Sequence, residues 1–181
     1  MFEKYLSQVD LHAAEICAVA DGIWDHAETA YTEKVSSGLL ADALEKAGFT
    51  IERGVGGIPT AFRAVFGRGK PVFGVLAEFD ALAGLSQEAG ITEKKALPGP
   101  DVGHGCGHNL FAGGSFGAAL ALKAYFEERG EGTLVFFGCP AEENGAGKVF
   151  LARAGVFSGW TPSSAGTRKR CIWSAPGPPW R

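Results

Sequence analysis

The chain has 181 residues, enough for one domain of ordinary size or a piece of a larger one. Apolar residues make up 46% and charged residues 20%, so a core can be buried and wholesale disorder is excluded. The formal net charge of -3 and a pI near 5.8 leave no basic footprint, which argues against a nucleic-acid partner.

Residues 2–28 are expected to form one amphipathic helix, because Val9, Ala13, Ile16, Ala20, Ile23 and Ala27 recur at three- and four-residue steps. The N-terminal stretch carries Glu3, Lys4, Asp10 and Glu15 and so lacks a signal peptide's apolar region. No apolar run approaches the ~18 residues of a membrane span. A cytoplasmic protein with no membrane partner is the expectation. A second helix is expected over 33–47, with Gly48 as its stop.

The period then changes. Phe49–Arg53, Thr60–Phe66 and Val72–Phe79 are β-rich runs between glycine-rich turns. VFGVLAEF is nearly all apolar, as for a strand buried on both faces. Residues 81–105 read as a long loop, functional or mobile at that length. Residues 109–128 form a helix dense in small residues, which suits tight seating on a sheet. Thr133–Gly138 is another buried strand, and a further helix is expected near 145–155. This alternation predicts an α/β sandwich.

Three segments carry chemistry. In Gly103–Asn109, His104, Cys106 and His108 alternate with glycines. An extended backbone would turn all three to one side, and imidazole with thiolate suits zinc and similar ions. Three of the six His and Cys residues before position 130 lie in these five positions. Directly after the strand TLVFFG come Glu142 and Glu143. Strand ends are where α/β proteins build sites, and a carboxylate beside a metal can serve as general base. Taken alone, the pair reads more readily as an acidic helix start, and it is the His/Cys cluster that strengthens the functional reading. Asp80, at the end of VFGVLAEF, suits either the second nitrogen of a metal-bound His or a turn. Cys17 is expected to be a small core residue. His12 and His26 read as surface or core groups, Trp24 as helix packing, and Cys139 as a packing residue.

The ordered runs GVLAEFDALAGLSQ, GHGCGHN and FFGCPAEEN resemble the co-catalytic metallopeptidase and amidohydrolase family, which includes aminoacylases, hippurate hydrolase and auxin-conjugate hydrolases. Within it they look most like the aminobenzoyl-glutamate hydrolase group. The resemblance covers roughly residues 10–157. It implies a three-layer, zinc-exopeptidase-like catalytic domain and two divalent ions, zinc or manganese. It implies Cys106, His108 and Glu143 as metal ligands, Glu142 as the general base, Asp80 in support and His104 in a less definite supporting role. A small amide or dipeptide substrate and a homodimer follow from the same resemblance. Many relatives have Asp where this chain has Asn109, and Asn is typical of the aminobenzoyl-glutamate-like branch.

The chain departs from the family after Phe157. Residues 161–181 hold four Pro, two Trp, four basic residues and no acid. The sequence therefore divides into 1–157, the N-terminal part of a catalytic domain, and 158–181, an anomalous tail. No His follows His108, whereas the resemblance calls for two more ligand histidines and a lid domain that also forms the dimer. Codons can be chosen for Gly159–Arg168 that, read two bases later, encode Val-Asp-Ala-Val-Leu-Ser-Trp-His-Pro, the continuation expected of the family. A slip of the reading frame near Phe157–Trp160, and a truncated, inactive chain, are the expectation. Two other readings stay open: a metal-binding remnant without turnover, and a thiol hydrolase with Cys106 as nucleophile.

Overall fold

The computed structural model describes residues 2–143 and 146–157. The tail at 158–181 and its frame-slip expectation lie outside the described residues. Helices α1 (Glu3–Leu11), α2 (Ala13–His26) and α3 (Lys34–Lys46) lead into strands β1 (Thr50–Arg53), β2 (Phe62–Arg68) and β3 (Val72–Ala77). Two short strands follow, β4 (Leu82–Ala83) and β5 (Val102–Gly103), then helix α4 (His108–Arg129), strand β6 (Gly132–Gly138) and helix α5 (Gly147–Arg153).

The main sheet has the order β1-β2-β6-β3. β2 pairs antiparallel with β1 and β6, whereas β3 runs parallel to β6. Strand alternation divides the sheet's side chains between two cores. Phe62, Ala64, Val75, Ala77, Leu134 and Phe136 point to one face, against Ile23, Leu40, Leu44, Phe116 and Leu120 of the helices. Val135, Phe137 and Cys139 point to the other, against Leu151 of α5 with Val55 and Ile58. Helices thus lie on both faces, and the α/β three-layer expectation holds.

The expected first helix is broken at His12, whose φ/ψ of -103°/15° separates α1 from α2. No Pro or Gly marks the break, so the apolar period runs straight through it. Cys17 is exposed on α2 rather than in the core. The small residues of α4 serve a helix partner as well as the sheet. A β-carbon on Gly113 would lie 3.0 Å from Ala20 Cβ, and one on Gly117 would lie 2.9 Å from Ile16 Cδ1. Both glycines therefore let α2 approach. On the sheet side, Ser115 Oγ donates to the Leu76 carbonyl at 2.8 Å and ties α4 to β3. Between β3 and α4, the long loop is closed by the β4–β5 pair and by Asp101, which accepts the Ser86 N–H at 3.1 Å. No helix among the described residues is long and apolar enough to cross a membrane.

Candidate metal centre

β3 and β6 are parallel neighbours, so their C-terminal ends release chain at the same edge of the sheet. Glu78 and Asp80 follow β3, and Glu142 and Glu143 follow β6. His108 opens α4 after Gly107, which lies at φ 73°. Gly tolerates this left-handed turn, and the turn brings the imidazole to the carboxylates.

Asp80 is buried and holds two elements at once. Its Oδ1 lies 3.0 Å from His108 Nδ1, and its Oδ2 accepts the Glu143 backbone N–H at 2.9 Å. The Asp80 carbonyl is also 3.0 Å from His108 Nδ1. Both atoms of Asp80 facing that nitrogen are acceptors, so Nδ1 carries the proton. In the neutral ring Nε2 is then a lone pair. It faces Glu78 Oε2 at 3.3 Å and Glu142 Oε2 at 3.6 Å. A proton on Nε2, or a cation between these groups, would relieve the repulsion of the converging acceptors.

The protonation preferences agree. Burial pulls His108 down, but the Asp80 hydrogen bond and the charges of Asp80 and Glu78 outweigh it and raise the group. Burial pushes Asp80 up, but the His108 contact and the Glu143 N–H outweigh that and hold it below its usual range. Lys148 of α5 pairs with Glu78 Oε1. Glu143 Oε1 is buried without a hydrogen-bond partner among the described residues. Glu78, His108 and Glu142 each offer a ligand atom within 4.8 Å of the others. An acid-rich cluster with an imidazole lone pair and an orphaned buried carboxylate oxygen fits a divalent cation.

The expected residues are brought together unequally. His108, Glu142, Glu143 and Asp80 meet. Cys106 is exposed at the rim. Its thiol is raised by its contact with Glu143, by burial and by the charges of Glu143, Glu142 and Asp80. It shares with His108 an open cavity of about 630 Å³, walled by Leu76, Leu110 and Phe111. His104 corrects the expectation of three donors on one side. The backbone is not extended here, and His104 turns into the core, its Nε2 3.0 Å from the Ile23 carbonyl and its ring stacked on Trp24. Burial lowers its pKa. Glu78 is a donor that sequence reasoning misses. Its place two residues before Asp80 at a strand end is the available signal.

No family model matches the chain. Over 140 residues it is 54% identical to one of the subunits of the p-aminobenzoyl-glutamate hydrolase of Escherichia coli K12, an alignment covering 77% of this chain and 29% of that protein. Over this stretch the chain is similar to a subunit of that hydrolase, in line with the resemblance carried by its three motifs. Xaa-Arg dipeptidase of mouse is 34% identical over 157 residues, covering 83% of this chain and 34% of that one. The chain thus spans about a third of the length of these two curated relatives. Among solved structures, a dinuclear metal-binding peptidase from the M20 family of Bacillus subtilis superposes with a TM-score of 0.64 at 23% identity. That match covers 81% of this chain and 41% of the other, and it shows the shared fold.

Proposed function

We propose that these residues form part of the metal site of an amidohydrolase that cleaves the amide bond of an N-acyl amino acid, of the aminobenzoyl-glutamate type, or of a dipeptide. The observation that carries the reading is His108 Nε2 directed at Glu78 and Glu142, with Asp80 fixing the ring from behind.

His108 Nε2 and Glu78 would hold a divalent ion, with Glu143, whose Oε1 lies 3.8 Å from the other ring nitrogen, and Cys106 at the rim as further donors. Such an ion, zinc or manganese, polarises an amide carbonyl and lowers the pKa of water beside it. Two ions are proposed for the whole protein. Burial separates the roles of the glutamate pair. The Glu142 side chain is 44% exposed and that of Glu143 is 14% exposed. Glu142 therefore faces solvent and substrate and takes the proton of the attacking water, then returns it to the departing amine. Glu143 faces inward and suits a ligand. Asp80 orients His108 and the Glu143 backbone. The apolar wall of Leu76, Leu110 and Phe111 suits an aromatic or aliphatic acyl group. A reducing, cytoplasmic setting keeps Cys106 available as a donor, and a homodimer is proposed for the whole protein.

The thiol-hydrolase reading is disfavoured, because a nucleophilic cysteine needs a lowered pKa and the carboxylates around Cys106 raise it. Calorimetric titration of the chain with Mn²⁺ and Zn²⁺ tests the proposal. Binding lost in His108→Ala supports it. Absence of binding, or binding that ignores His108→Ala, overturns it. Metal-dependent release of aminobenzoate that Glu142→Gln abolishes would support turnover, whereas binding without release would favour a metal-binding chain.

A further inference from the structure

The segment joining α2 to α3 grips both strand-end loops of the metal centre. Ala27 and Tyr31 lie at φ 39° and 65°, so this connection is tightly turned. The Glu28 carbonyl accepts the N–H of Ala81, next to Asp80, at 2.8 Å, and Thr29 forms a β-bridge with Ala81. The Glu28 carboxylate accepts from the N–H groups of Val35 and Ser36 at 3.1 and 2.8 Å, satisfying the start of α3.

Glu33 reaches the other loop. It is fully buried. Its Oε1 accepts the Ala141 N–H at 2.9 Å, while Oε2 is buried with no hydrogen-bond partner among the described residues. Burial raises its carboxyl above the usual range, against the backbone N–H groups of Glu33, Ala141 and Tyr31 and the Thr60 hydroxyl. A fully buried carboxyl is unfavourable for folding, and an apolar side chain of similar length would avoid that cost. The residue it touches is itself unusual. Ala141 is buried at φ 58°, immediately before Glu142 and Glu143. A non-glycine residue keeps this conformation only where its surroundings impose it.

We propose that Glu33 is a positioning residue of the metal centre: its hydrogen bond to the Ala141 N–H holds the left-handed turn that sends the Glu142 and Glu143 side chains apart, one outward and one inward. The proposal rests on the roles assigned above to those two glutamates. Glu33 itself touches neither ion nor substrate.

The test combines Mn²⁺ calorimetry with amide hydrogen exchange at Ala141, on the 181-residue chain. Glu33→Gln retains a carbonyl acceptor and is expected to keep Ala141 protected and Mn²⁺ affinity within about threefold of the parent. Glu33→Met fills the space without an acceptor. It is expected to exchange Ala141 faster and to weaken Mn²⁺ binding by about tenfold or more, the range seen when a group supporting a metal ligand is removed. Unchanged exchange and affinity in folded Glu33→Met overturn the proposal. If Glu33→Met does not fold, Glu33→Asp decides, because it is one methylene too short to reach Ala141. Protection at Ala141 equal to the parent's in that variant overturns the proposal as well. If the parent chain binds no Mn²⁺, the metal-site reading fails, while exchange at Ala141 still decides whether Glu33 holds the turn.

Discussion

Asp80 Oδ1 lies 3.0 Å from Nδ1 of His108, and the other oxygen of the same buried carboxylate accepts the Glu143 N–H at 2.9 Å. One side chain therefore fixes the tautomer of the imidazole and the backbone of the second glutamate. In Asp80→Asn the amide oxygen can still accept from one of these groups, but the NH₂ cannot accept from the other. Mn²⁺ or Zn²⁺ affinity is expected to fall by about 10–100-fold. Circular dichroism should show a folded chain. Affinity equal to the parent's would remove Asp80 from the site.

The pH dependence of the metal-free chain follows from the same pair. His108 has a raised pKa in the folded chain, so its protonation stabilises the fold. That contribution is complete below the unfolded value of about 6.5 and is lost as pH rises through the folded value. Asp80 is lowered. Its contribution is present above the unfolded value of about 3.9 and is lost as pH falls through the folded value. The contribution of His108, read as the parent's stability minus that of His108→Ala, should therefore be larger at pH 6 than at pH 8.5. His104, lowered by burial, works the other way in the same window and cancels in this difference. The chain should weaken on strong acidification as Asp80 is protonated. A bound divalent ion competes with the proton on Nε2 and reverses the first trend. Thermal melts across pH, with and without Mn²⁺, check this. A metal-free difference between parent and His108→Ala that grows from pH 6 to 8.5 would contradict it.

Cys106 gives a chemical readout. Its thiol is exposed, yet its contact with Glu143 and the surrounding negative charge disfavour the thiolate. Alkylation by iodoacetamide at pH 8 should be slower than for a small free thiol, because the thiolate is the reactive form. Zinc should slow it further if Cys106 is a ligand. Faster alkylation than the small thiol would instead revive the nucleophile reading. Mass-resolved labelling separates Cys106 from the exposed Cys17.

Much of this arrangement is legible in the sequence because local pattern and burial agree. TLVFFG is β6, buried on both faces between α4 and α5, and its apolar run says so directly. The pairing of Asp80 with His108 can be expected because strand ends collect acids. The rest depends on backbone detail that composition does not encode. His104 joins the donor row only if the backbone is extended, but the left-handed Gly107 begins α4 and breaks that alternation. The β4–β5 pair is only two residues long on each side, too short for any period. The role of Glu33 depends on a contact 108 residues away in sequence, and no local signal marks it.

Two glycines near the site should respond in opposite ways to the same methyl group. A β-carbon on Gly147 would lie 1.8 Å from the Pro140 carbonyl oxygen and 3.4 Å from Ala141 Cβ. Backbone must move to relieve that overlap, and the backbone in question leads into Glu142 and Glu143. Gly147→Ala should therefore lower the melting temperature and weaken metal binding together. Gly114 lies inside α4 on the open cavity, and a β-carbon there meets nothing within 4 Å. Gly114→Ala should stabilise the chain by about 0.5–1 kcal/mol through reduced backbone entropy and leave metal affinity unchanged. Denaturant melts and Mn²⁺ titrations on both variants measure this. Normal Mn²⁺ affinity in a folded Gly147→Ala variant would show that the Pro140–Gly147 contact does not set the positions of the glutamates.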